Sequence, residues 1–116
     1  MGASQKTGGP GEFLLVLSTA SSTAEAKRIA NLLIRQHLSA CVNLVPGIES
    51  LYWWQGKVAT SQEILLLIKT TRKRLSRLAS VLKKNHSYDV PEIIALPLSW
   101  GDRVYLQWLK KSVKSP

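Results

Sequence analysis

The chain contains little cysteine, few acidic residues and no long apolar stretch. Its single cysteine, Cys41, excludes an internal disulfide framework and a zinc site built from several thiols. No apolar stretch approaches the ~20 residues that a bilayer-spanning helix needs, and residues 1–11 lack the apolar segment of a signal peptide. We therefore predict a soluble cytoplasmic protein, with a disordered tail over residues 1–11 and a single domain over residues 12–116.

Acidic residues are scarce enough to leave a formal net charge of +9, from seven Asp and Glu against sixteen Lys and Arg. Residues 69–114 hold eleven basic residues and only three acidic ones. Such a surface attracts nucleic acid and other polyanions, although a solvated helix face explains the same pattern. A polyanion-binding module is therefore an alternative function. The predicted strands lack the aromatic pattern used for base stacking, so a nucleic-acid partner is not favoured.

Apolar spacing switches between strand and helix patterns along the chain. Ser22 and Glu25 fit a capping box at the start of a helix, and Leu109 with Tyr105 and Trp108 marks the inward face of a last helix. The predicted elements are a strand over residues 13–18, a helix after Ser22, a hairpin over 41–71, a helix over 72–85, a strand over 92–98 and a helix over 103–113. This order predicts an α+β, ferredoxin-like βαββαβ sandwich with a C-terminal helix and sheet order 4-1-3-2.

The hairpin is too long for a domain of this size. Its two β-branched and aromatic runs meet at a turn around Gly56, and Pro46 with Gly47 predicts a bulge in the first arm. One arm spans roughly 45–50 Å, whereas a compact domain of this size has a radius of gyration of about 13 Å. We therefore expect the aromatic end, Trp53 and Trp54 included, to be covered by other copies of the chain.

Several segments resemble the CutA-type divalent-cation tolerance family. They are LSACVNLVPGI (38–48), YWWQGK (52–57), IKT (68–70), PEIIALP (91–97) and YLQWL (105–109). The resemblance extends over about residues 13–113 and implies a ferredoxin-like subunit assembled into a homotrimer through its long hairpins. It also implies a role in the response to metal ions, with copper or another small ligand bound at subunit junctions.

The resemblance places metal binding on a thiol that ends the first strand and on histidines before a Pro-Tyr pair. In this sequence Ser18 and Asn85 occupy two of those positions, and Ser87 replaces the proline. Only His86 remains as a metal-ligand candidate. Because copper favours thiolate and imidazole ligands, we expect weak or absent binding of copper(II) or another divalent cation, unless other copies of the chain or Glu63 supply ligands.

Glu63, Lys69 and Tyr88 are the remaining candidates for a ligand-binding cleft between subunits, together with His86. Glu63 and Lys69 are six residues apart on one strand, so their side chains share a face and form either part of a pocket or a salt bridge. For His86 the alternative is a local hydrogen bond at a helix end. No nucleophile–base pair is recognisable, so we do not predict an enzyme. The alternative is an enzyme whose site is shared between chains and includes Glu63 or His86.

Overall fold

The computed structural model describes residues 11–114, and residues 1–10 of the predicted tail lie outside them. The elements are β1 (Phe13–Ala20), α1 (Thr23–Arg35), β2 (Cys41–Trp54), β3 (Lys57–Thr71), α2 (Arg72–Asn85), β4 (Ile94–Pro97) and α3 (Arg103–Ser112). The sheet is antiparallel with order β2-β3-β1-β4, which confirms the predicted ferredoxin-like topology.

The core lies between the sheet and the layer formed by α1 and α2. Alternate residues of β1 and β3, such as Val16 and Ile68, are fully buried against this layer, because successive strand side chains point to opposite faces. The helices contribute residues at helical spacing, including Ile29, Leu33 and Leu82. The binary pattern of the sequence thus sets which side of the sheet the two helices cover.

Helix α1 begins as predicted, with one difference. The Ser22 hydroxyl accepts a hydrogen bond from the Glu25 amide at 3.1 Å. The Glu25 side chain reaches one residue further back than a capping box requires and accepts from the amide and hydroxyl of Ser21, at 2.9 and 2.8 Å. This places the Glu25 carboxylate at the junction of β1 and α1.

The expected inward packing of α3 is only partly correct. Leu109 is fully buried, whereas Tyr105 and Trp108 remain 41% and 47% exposed in the single subunit. Their rings contact each other, with centroids 5.4 Å apart. In the single subunit this ten-residue helix at the edge of a small domain is covered only around Leu109, and the two rings stay partly exposed.

The hairpin protrudes from the domain, as predicted. Strand β1 pairs with β3 only as far as Ala20 opposite Ile64, so residues 48–63 form a two-stranded arm with no third strand from the described residues beside it. The subunit measures 51 × 29 × 23 Å, with a radius of gyration of 15.4 Å. The predicted irregularity lies between Val45 and Ile48. The turn places Gln55 and Gly56 at φ 52° and 77°, as two-residue hairpin turns require.

Candidate functional site

His86 fixes the segment that follows α2 to the end of β1. Its side chain is fully buried. Its Nε2 atom lies 2.7 Å from the Thr19 carbonyl oxygen, and its Nδ1 atom lies 3.0 Å from the Tyr88 amide nitrogen. Since a carbonyl only accepts and an amide only donates, Nε2 carries the proton and Nδ1 accepts, so the ring is neutral. Both ring nitrogens are therefore used within the subunit.

Glu25 holds the same segment from the other side. Its Oε2 atom accepts a hydrogen bond from the Ser87 amide at 2.7 Å, while Oε1 accepts from Ser21. Burial by itself would raise the pKa of Glu25, but the hydrogen bonds from Ser21 and Ser87 outweigh it and lower the pKa from 4.5 to about 2. From the sequence Glu25 was predicted only to cap α1, and no local signal indicated its contact with Ser87, 62 positions away.

Tyr88 and Glu63 form the polar centre of the site. The Tyr88 hydroxyl donates a hydrogen bond to Glu63 Oε2 at 2.8 Å. Burial raises the pKa of Tyr88, and the neighbouring Glu63 carboxylate raises it further, so the hydroxyl remains protonated and keeps donating. Glu63 is only 7% exposed although it lies at the base of the protruding arm. Two of the residues predicted as pocket groups are therefore in direct contact.

A cleft of about 880 Å³ opens between the arm and the segment after α2. Its lining combines carboxylates with aromatic rings, and among the described residues no Lys, Arg or His contributes to it. The lining residues are Thr19, Ser50, Leu51, Tyr52, Trp53, Trp54, Glu63, Ser87, Tyr88, Asp89, Val90, Pro91 and Glu92. Volumes of this size are typical of small-molecule sites.

Lys69 lies away from this cleft. It shares the sheet face of Glu63, but six residues of strand separate the two by about 20 Å. Its amino group donates to the Asn43 side chain, and Glu63 bonds Tyr88 instead. The Glu63–Lys69 salt bridge considered from the sequence is therefore not formed within the described subunit. Two residues an even number of positions apart on a strand lie on the same face of the sheet, but this spacing does not bring their side chains into contact.

The positive charge of the chain lies on the helix layer. Helices α1 and α2 carry nine of the sixteen basic residues and one acidic residue, the buried Glu25. The outward positions of α2 include Lys73, Arg77 and Lys84, all exposed. None of these cations lines the cleft. The polyanion-binding alternative thus concerns this helix face, on a different surface from the cleft.

The positions at which the family resemblance places metal binding do not fit a metal ion in the single subunit. Ser18 is 1% exposed, and its hydroxyl, which finds no hydrogen-bond partner among residues 11–114, is a poor copper ligand. Both nitrogens of His86 are occupied by backbone groups. Within residues 11–114 no group of three or more His, Cys, Asp or Glu side chains is arranged to hold a metal. The local chemistry therefore provides no copper centre in the single subunit.

Comparison with known proteins identifies the relatives of this chain. A family model described as CutA1 divalent ion tolerance protein matches residues 14–112. The chain is 50% identical over 101 residues to a protein named Protein CutA 1, chloroplastic, from Oryza sativa subsp. japonica. It is 48% identical to the divalent-cation tolerance protein CutA of Thermus thermophilus, and the match covers 84% of this chain and 95% of that protein.

A solved structure supports the same relationship. The crystal structure of CutA1 from Oryza sativa superposes with a TM-score of 0.87 at 48% identity, over 90% of this chain and 96% of that one. The chain spans 57% and 56% of the curated rice and Arabidopsis thaliana relatives. Both of those plant proteins are named as chloroplastic, so the relatives do not support the cytoplasmic location predicted from the sequence. No helix among residues 11–114 is long and apolar enough to cross a membrane.

Proposed function

This chain belongs to the CutA1 divalent ion tolerance protein family, and on that basis we propose that it is a non-catalytic homotrimer that acts in the response to metal ions. In this proposal the hairpin arms join the subunits, and a small ligand binds in the cleft beside each arm. The cytoplasm is the compartment that the sequence suggested. The trimeric state and the link to metals are what the family resemblance implies for this chain.

The observation that carries the proposal is the exposed apolar surface of the arm. Leu51, Trp53, Trp54 and Val58 are 67%, 77%, 60% and 59% exposed in the single subunit. A two-stranded ribbon is marginally stable in water, and an uncovered apolar edge strand promotes pairing with other chains. Copies of the chain that pack around these arms remove this surface from water and give the arms the support that the subunit lacks.

Sedimentation of the dilute, full-length protein tests the assembly. We expect a single species of three times the chain mass of 12.9 kDa, unchanged on dilution through the micromolar range. A folded species at the mass of one chain would refute the proposed assembly. A dimer would refute the trimeric state, but it would still agree with the proposal that copies of the chain cover the arm.

Metal titration tests whether the response to metals involves direct coordination at His86. We expect calorimetry with copper(II) or zinc to show no saturable site that depends on His86, because its two nitrogens are bonded to Thr19 and Tyr88. His86→Gln is compared with His37→Gln, which removes the other histidine. Micromolar copper affinity lost only in His86→Gln would contradict this prediction.

A further inference from the structure

We propose that the outward face of helices α1 and α2 binds double-helical DNA through its phosphate backbone, without reading its sequence. The inference goes beyond the proposed function, because it concerns a second surface that shares no residue with the cleft. Unpaired cations, the shape of the helix layer and the scarcity of exposed apolar side chains support it.

Six of the nine basic residues on the two helices are free to contact an anion. Arg28, Arg72 and Arg74 donate hydrogen bonds to backbone carbonyl oxygens. The other six are exposed and form no hydrogen bond or ion pair among residues 11–114. They are Lys27, Arg35, Lys73, Arg77, Lys83 and Lys84. Because the acidic residue of the two helices, Glu25, is buried, no exposed carboxylate on either helix neutralises this face.

The two helices present these cations side by side in one layer. Both pack on the same face of the sheet, and Arg28 in α1 donates to the carbonyl oxygen of Asn85 at the end of α2, so the helices run antiparallel. On α2, Lys73, Arg77 and Lys84 follow one face at spacings of four and seven residues. Helices of 13 and 14 residues are about 20 Å long and pack roughly 8–10 Å apart. The face is therefore about 20 Å in each direction.

The size and charge of this face suit the backbone of a DNA duplex. DNA carries one negative charge per ~1.7 Å of its axis, so a 20 Å segment presents about twelve phosphates to six cations. The major groove, about 12 Å wide, admits one helix, and two helices in one layer are too wide to enter it. Contacts are thus restricted to phosphates, which carry no sequence information. Ser76 and Ser80, exposed between the cations of α2, offer hydroxyl donors to the same phosphates.

The scarcity of exposed apolar side chains disfavours a membrane or a protein as the partner. Ile34, 38% exposed, is the one large apolar residue that is exposed on either helix. A protein interface has an apolar core, and stable attachment to an anionic membrane needs a buried apolar group beside the basic patch. Another copy of the chain meets the same lack of apolar contact here, and its own positive face would be repelled. Assembly through the arms therefore leaves this face in water.

Other forms of nucleic acid fit this face less well than a DNA duplex. Single strands are held by aromatic side chains on which the bases stack, and neither helix contains an aromatic residue. Domains that recognise RNA duplexes span about 16 base pairs, more than a face of about 20 Å covers. The missing base-stacking pattern of the strands does not bear on a DNA duplex, because its bases stay stacked.

Fluorescence anisotropy with labelled DNA duplexes tests the proposal on the full-length protein in its native assembly. We expect micromolar or tighter binding at about 50 mM salt. The affinity should fall roughly 10²–10³-fold between about 50 and about 200 mM salt, because four to six phosphates release their counterions. Two duplexes of equal length and different sequence should bind within about threefold of each other. The comparison probes are a single strand and an RNA duplex of the same length, and vesicles that contain phosphatidylserine.

A triple variant with Lys73→Gln, Arg77→Gln and Lys84→Gln locates the site on α2. Glutamine is as good a helix former as lysine and arginine, and all three positions are exposed, so we expect an unchanged fold. The affinity for the duplex at about 100 mM salt should fall roughly tenfold or more, and the slope of log affinity against log salt should become shallower by about 2–3.

A matched triple variant with Lys57→Gln, Arg103→Gln and Lys111→Gln removes the same charge from exposed positions outside both helices, and it should change the affinity by less than about threefold. Sedimentation of both variants checks that they keep the oligomeric state of the parent. Equal losses in the two variants would overturn the inference, since net charge alone would then explain the binding. So would an affinity that is insensitive to salt, a preference of more than about tenfold for one sequence, no duplex binding at low salt, or tighter binding of any comparison probe.

Discussion

Replacing Trp53 with alanine is expected to destabilise the assembled protein by about 3–5 kcal/mol per subunit, the range for truncation of a large buried aromatic side chain. In a single subunit Trp53 is 77% exposed, so the isolated fold gives no reason for a cost of this size. The cost arises only if another copy covers the ring. Urea unfolding monitored by circular dichroism, at equal protomer concentrations for both proteins, measures the difference.

A matched control separates the assembly from the subunit fold. Ile34 is 38% exposed on α1, away from the arm, and we expect Ile34→Ala to cost less than about 1 kcal/mol. Sedimentation of Trp53→Ala should also show dissociation at concentrations where the parent remains assembled. If Trp53→Ala and the parent unfold at the same urea concentration, the end of the arm is exposed to solvent in the native protein.

Replacing Glu25 with glutamine is expected to cost about 2–3 kcal/mol at neutral pH. The carboxylate accepts hydrogen bonds from Ser21 and Ser87, and the amide group of glutamine would place a donor against one of these donors. The lowered pKa of about 2 sets an upper limit of about 3 kcal/mol for the charge contribution. The exposed Glu49→Gln serves as the control and should change stability by no more than about 0.5 kcal/mol.

The Glu25 contribution has a defined pH dependence. Because its folded-state pKa of about 2 lies below the ordinary value of 4.5, the carboxylate stabilises the fold fully above about pH 5. This stabilisation is lost as the pH falls from about 5 towards 2, since the unfolded chain then binds the proton more readily. Unfolding curves of the parent and Glu25→Gln should therefore converge near pH 2. A difference that stays constant from pH 7 to pH 2 would contradict the assigned role.

The elements of the fold could be read from the sequence because their signals are local. The spacing of apolar residues marked both long helices, and Ser22 marked the start of α1. The bulge after Val45 follows from a proline and a glycine inside one strand. Tyr105 and Trp108 were assigned inward incorrectly, because periodicity identifies a helix face without showing how much of it the domain can cover.

The candidate site was only partly predictable. Glu63 and Tyr88 were selected as pocket residues, but their contact joins positions 25 apart and depends on the path of the segment after α2. Lys69 was grouped with them because of its even spacing from Glu63, and the length of the strand keeps it away. Asp89 and Glu92 have no distinguishing sequence signal, and their role in the charge of the cleft appears only once the arm lies beside them.

The sequence by itself determined the order of strands and helices, the sheet topology and an arm longer than the domain, because each follows from residue spacing and chain length. Only the tertiary structure decided which polar groups meet at the candidate site. It brought Thr19 to His86 and Ser87 to Glu25, 67 and 62 positions apart, and so occupied the imidazole that the sequence left as a metal ligand. Contacts between distant residues depend on how the layers and loops pack, and the local pattern does not encode that packing.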